Sequence, residues 1–116
     1  MRTRVSRAIA FEAAHHLPWH AGKCQRLHGH HYRLEVTVEG PVNEQGVVMD
    51  FEDLAAVLER EVVSRYDHRL LNDVLDNPTA ERIAQQTWKY LEAAGLGLVS
   101  LRLWETPQSM VELLAG

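Results

Sequence analysis

At 116 residues the chain is long enough for one domain with a single core and too short for two. Its 46% hydrophobic and 24% charged content excludes disordered and fibrous classes. A net charge of -4 argues against nucleic acid as a partner, because such binding leans on clustered Lys and Arg. The apolar run Ala8-Ile9-Ala10-Phe11 is cut by Glu12 and is far shorter than a signal-peptide core or a membrane span, so a cytoplasmic location without a membrane partner is expected. The one cysteine, Cys24, forms no internal disulfide, which fits a reducing compartment.

In chain order, Val5, Ile9 and Phe11 alternate with polar neighbours and predict a strand over about Arg4 to Phe11. A loop follows that gathers His15, His16, His20, Cys24 and His28. Tyr32, Leu34, Val36 and Val38 then alternate with His31, Arg33, Glu35, Thr37 and Glu39, the clearest strand signal in the chain, which Gly40-Pro41 stops. After a polar turn at Asn43-Glu44-Gln45-Gly46, Asp50 is placed to cap a helix whose apolar stripe is Phe51, Leu54, Ala55, Leu58, Val62 and Tyr66. A loop closing at Asn77-Pro78 leads to Thr79, the cap of a second helix with Ile83, Ala84, Thr87, Trp88 and Leu91 on its buried side and Gly95 as its terminator. Val99, Leu101 and Leu103 make a strand that delivers Glu105 on its apolar parity, and Met110 to Leu114 make a last short one. The expected order is β-β-α-α-β-β in one α+β domain over residues 1–116, a four-stranded antiparallel sheet with two helices on one face. Open sheet edges in so small a domain favour a homo-oligomer.

The chemistry sits in the histidine loop. Residues i and i+2 of a strand share a face, so His28 and His30 can hold one metal ion, in register with the inward side chains, while His31 points away. A catalytic zinc takes three protein ligands and leaves one position open. The third must come from His15, His16 or His20, and His15 has the parity of Val5, Ile9 and Phe11. His16, His20 and His31 read as loop or edge residues. Cys24 lies between Gly22 and Arg26 in a polar setting that favours reactivity over burial. Asp67-His68 reads either as an acid–base pair or as a cap on the first helix's C-terminus.

Phe11-Glu12-Ala13-Ala14-His15, Cys24-xxx-His28-Gly29-His30, Val48-Met49-Asp50-Phe51, Asp67-His68 with Leu71-Asn72, Pro78-Thr79-Ala80-Glu81 and Glu105-Thr106 occur in that order. Together they resemble the 6-pyruvoyltetrahydropterin synthase / 6-carboxytetrahydropterin synthase family, and the spacing of Cys24 to His28 is similar to its bacterial 6-carboxytetrahydropterin synthase branch. The resemblance implies a tunnelling fold, in which subunits join their sheets into a barrel, as a hexamer or tetramer, with active sites between subunits. It implies Zn2+ on His15, His28 and His30, a proton-abstracting Cys24 assisted by Asp67 and His68, and Glu105 as the anchor of the pterin ring. The implied activity is that of a lyase that converts 7,8-dihydroneopterin triphosphate to 6-carboxytetrahydropterin with loss of triphosphate and acetaldehyde, supplying queuosine and other 7-deazaguanine compounds. The same groups would serve 6-pyruvoyltetrahydropterin synthase chemistry, and a zinc-binding scaffold without catalysis would keep the histidines alone. Lys23 and Arg26 are candidates for the triphosphate. One position departs from the pattern, since Trp104 stands where carboxy-type relatives often carry a basic residue.

Overall fold

The computed structural model describes residues 1–116. Two long strands, β1 (Thr3–His15) and β2 (His28–Gly40), pair antiparallel over their whole length, from Thr3 opposite Gly40 to His15 opposite His28. At roughly 3.4 Å per residue, thirteen-residue strands account for most of the 53 Å long axis. β1 therefore runs four residues past Phe11, the predicted end, because the alternation that starts at Val5 continues through Ala13 to His15.

Asp50 accepts a hydrogen bond from Glu52 N at 2.7 Å and opens α1 (Phe51–Leu58), as its residue type predicts, a cap worth about 1 kcal/mol. The helix runs on through a π-helical turn (Glu59–Val63) into a last turn (Ser64–Tyr66). Leu54, Leu58, Val62 and Tyr66 are buried, whereas Phe51 is 54% exposed and lies off the stripe assigned to it. Thr79 caps α2 (Ala80–Ala93) through Arg82 N, and Gly95 ends it with φ +92°, a left-handed conformation that suits glycine.

β4 (Leu98–Thr106) pairs antiparallel with β2, and β5 (Ser109–Leu114) forms a hairpin with β4. A fifth strand, β3 (Arg69–Leu70), was not foreseen: two residues pair parallel to Ala13 and Ala14. The sheet order is β3-β1-β2-β4-β5, mixed rather than purely antiparallel. Two residues carry no periodicity, so only the tertiary contact with β1 defines β3.

Both helices cover one sheet face. Leu54, Leu58, Ile83 and Leu91 join Phe11, Tyr32, Leu34 and Leu103 in a single core. The opposite face is bare and polar, with Arg102 paired to Glu112 at 2.7 Å and to Glu35 at 3.8 Å. Only 20 of 116 residues are buried, a small share for this length. No helix is long and apolar enough to cross a membrane.

Candidate metal centre and active site

The pairing of β1 with β2 puts His15 opposite His28 and Ala13 opposite His30, so three imidazoles meet at the helix-covered end of the two strands. One nitrogen from each lies within 4.8 Å of the others. Ligands of a tetrahedral zinc at about 2.1 Å would stand about 3.4 Å apart, close to the 3.0 Å between His15 Nε2 and His28 Nε2 and inside the 4.8 Å limit for all three. His15 is 1% exposed, and Tyr32 beneath it is fully buried.

The hydrogen bonds fix the tautomers. His15 Nδ1 lies 2.8 Å from the Pro78 carbonyl and His28 Nδ1 lies 2.7 Å from the Arg26 carbonyl. A carbonyl only accepts, so each Nδ1 carries the proton and each Nε2 presents a lone pair. Those two Nε2 atoms nevertheless face each other at 3.0 Å. His30 Nε2 is buried without a hydrogen-bond partner, with Glu105 Oε1 3.6 Å away. Converging lone pairs and an orphaned buried nitrogen are unfavourable as they stand and are satisfied together by one cation, so the donor set fits a metal ion. Burial holds His15 and His30 below the ordinary 6.5, which keeps them neutral and able to ligate near pH 7, although the Pro78 carbonyl and Glu105 respectively oppose that shift.

Sequence reasoning missed the supports of this centre. The Pro78 and Arg26 carbonyls are backbone atoms and leave no sequence signal. Asn72, noted only as part of a motif, clamps the residue after His15: its Oδ1 accepts from His16 N at 3.0 Å and its Nδ2 donates to His16 O at 2.9 Å.

Cys24 sits half-exposed in a 3-10 turn (Lys23–Gln25) and lines a cavity of about 320 Å³ with Glu105. Lys23 and Arg26 on either side are exposed. Asp67 and His68 are elsewhere. Asp67 Oδ1 accepts from Glu12 N at 2.9 Å, His68 N donates to Glu12 O at 2.6 Å, and His68 Nδ1 stands 3.0 Å from Asp67 Oδ2. The Glu12 amide most of all, and then the His68 ring, hold the Asp67 carboxyl below its ordinary range. Asp67-His68 is thus an oriented pair locked to β1, and its imidazole is 79% exposed. His68 lines a cavity with Glu12, His30, His31 and Arg69, distinct from that of Cys24. The structure does not bring Cys24 and His68 together within one chain.

Glu105 emerges from β4 on the side of His30, as its parity predicts, and borders both the Cys24 cavity and a recess of about 490 Å³ closed by Arg33 and Trp104. The Arg33 guanidinium lies 4.6 Å over the Trp104 ring, so a cation stands beside position 104 although the residue itself is aromatic. His31 points away from the metal centre, as expected, and pairs with Glu12.

The sequence profile of the 6-pyruvoyl tetrahydropterin synthase family matches residues 4–115. The chain belongs to this family. Among curated members of it, a 6-carboxy-5,6,7,8-tetrahydropterin synthase of Synechocystis is 44% identical over 88% of this chain and 85% of its own. A protein of Archaeoglobus fulgidus with the same name, there given provisionally, is 39% identical over 91% and 90%. A Pyrococcus furiosus protein named dihydroneopterin monophosphate aldolase is 40% identical over 97% and 98%. The solved 6-pyruvoyl tetrahydropterin synthase of Caenorhabditis elegans superposes with a TM-score of 0.86 over 100% of this chain and 97% of that one, at 24% identity, which shows the tunnelling fold of the family.

Proposed function

We propose that the chain is a zinc-dependent 6-carboxy-5,6,7,8-tetrahydropterin synthase, a lyase acting on 7,8-dihydroneopterin triphosphate on a route to 7-deazaguanine compounds such as queuosine. The observation that carries this reading is the convergence of one ring nitrogen from each of three histidines beside Glu105, in a chain whose 44% identical relative bears that name.

His15, His28 and His30 would hold the ion, with their lone pairs already aimed by the carbonyls behind His15 and His28. Bound zinc would supply a Lewis acid for the hydroxyl oxygens of the substrate side chain, acidifying the neighbouring C–H. Glu105 accepts two parallel N–H bonds from the guanidine-like edge of the pterin. Cys24 Sγ takes the carbon-bound proton, and His68, held by Asp67, returns a proton from a neighbouring subunit.

A second reading is favoured by the Pyrococcus furiosus relative and by the Cys24 cavity itself, which carries Glu81 and Glu105 and no lysine or arginine to meet a triphosphate. The same base and metal would serve an aldol cleavage of a monophosphate. Incubation with the triphosphate and the monophosphate of 7,8-dihydroneopterin, with products identified by mass, separates the two. It also detects a pyruvoyl product, or no product, as for a zinc-binding protein without catalysis.

Three results follow for the site. The protein should hold about one zinc per chain, and His28→Ala or His30→Ala should abolish tight binding while His16→Ala, His20→Ala and His31→Ala keep it; the opposite pattern would overturn the ligand set. The metal-free protein should also lose stability on acidification. His15 and His30 are depressed below 6.5, so the stability from keeping them neutral is fully present above 6.5 and fades as pH falls below it. A flat melting temperature between pH 7.5 and 5.5 would contradict that.

The third result concerns Glu105. Glu105→Gln turns one acceptor oxygen into a donor facing a donor edge and should weaken pterin binding by about 1.5 to 3 kcal/mol. Zinc content should not change, and loss of zinc in this variant would contradict an anchoring role.

A further inference from the structure

Outside the metal centre and the Cys24, His68 and Glu105 positions, one titratable side chain of the site has an orientation nothing above explains. His20 lines the Cys24 cavity, together with Trp19, Glu81 and Glu105. The loop that carries it is built rather than loose. Leu17 N donates to the Cys24 carbonyl at 2.9 Å, and His20 N donates to the Leu17 carbonyl at 2.9 Å, so the backbone couples His20 to Cys24.

The ring itself is restrained. Gly22 N donates to His20 Nδ1 at 2.8 Å, which makes Nδ1 an acceptor and leaves the proton of the neutral ring on Nε2. The Trp19 ring lies 5.7 Å from it, and Trp19 is tied through Nε1 to Asn77 Oδ1 at 2.8 Å. A Cβ at position 22 would stand 3.0 Å from His20 Cε1, so a larger residue there would press on the ring and shift it by a few tenths of an ångström. A solvated loop histidine needs no fixed tautomer.

We infer that His20 is a further substrate-binding residue, whose Nε2–H donates a hydrogen bond to a hydroxyl oxygen of the pterin side chain beside Cys24. The carboxylates of Glu81 and Glu105 in the same cavity accept hydrogen bonds and cannot donate them to an oxygen, so a hydroxyl oxygen there must be met by the Thr79 or Ser109 hydroxyl or by His20 Nε2–H. Of these, His20 is the one that the backbone bonds of the loop tie to Cys24. This deepens the proposed function and rests on it, in that the ligand is a pterin with a hydroxylated side chain.

Equilibrium binding of two probes to the zinc-loaded protein tests it: neopterin, which carries the hydroxylated side chain, and 6-methylpterin, which lacks it. His20→Phe keeps a ring against Trp19 and removes the donor. It should weaken neopterin binding about tenfold, the worth of one hydrogen bond, and leave 6-methylpterin binding and zinc content unchanged. His20→Gln, which places an amide donor near the Nε2 position, should restore neopterin binding to within about threefold. If the parent binds both pterins and His20→Phe binds neopterin equally well, or loses both probes alike, the inference is wrong and the pterin site stands. A parent that binds neither probe overturns the proposed function and this inference with it.

Discussion

Cys24→Ala should lower turnover of 7,8-dihydroneopterin triphosphate by about 10²- to 10⁴-fold, the usual worth of a positioned base, with zinc content, assembly and pterin affinity unchanged. The separation of these effects follows from the geometry. Cys24 is not among the three residues whose nitrogens converge, and it packs in no part of the core, so neither metal nor fold depends on its sulfur. Its contact with the rest of the loop is made by its carbonyl, which accepts from Leu17 N and survives the substitution. It is half-exposed and shares a cavity with Glu105, so a pterin anchored there would bring its side chain within reach of the thiol. Alkylation of the parent should mimic the substitution, and neopterin should slow that alkylation. Turnover by Cys24→Ala within a few-fold of the parent would make the thiol structural and the mechanism wrong.

The parity of Tyr32, Leu34, Val36 and Val38 was enough to set His28 and His30 inward and His31 outward, and the alternation of Val5, Ile9 and Phe11 set His15. Those are period-two statements, and a strand obeys them whatever lies around it. The caps Asp50 and Thr79 were legible for a similar reason, since a cap is a local bond within three residues. Long-range supports were illegible. Nothing local tells that Pro78 O, sixty-three positions away, polarises His15, or that Glu12 offers its amide to Asp67 and its carbonyl to His68. His20 was read as a loop residue because a fixed tautomer shows only in coordinates. Phe51 was placed on the buried stripe because periodicity counts positions and does not see where the core ends. The dyad Asp67-His68 was half legible: the residue types were, while its separation from Cys24 came only with the fold.

That separation yields the second large effect. Two inactive variants, Cys24→Ala and His68→Ala, should regain activity when co-assembled. His68 is 79% exposed and has φ 59°, a left-handed backbone that costs a non-glycine residue about 1 to 3 kcal/mol. Bonds from the Glu12 backbone hold it there, and the ring it presents meets neither Cys24 nor Glu105 in its own chain. The sheet has open edges along β5 and most of β1, and its helix-free face is uncovered, so a neighbouring subunit can join at an edge and bring its Asp67-His68 toward Cys24. If each site draws Cys24 from one subunit and His68 from another, random mixing leaves both groups intact in one half times one half of the sites. Co-expressed variants with different tags should therefore recover about a quarter of parent activity, whereas each variant alone stays about 10² or more below it. If Cys24 and His68 worked within one chain, no mixture would contain a complete site, and mixed oligomers verified by tandem purification would remain as inactive as their parts.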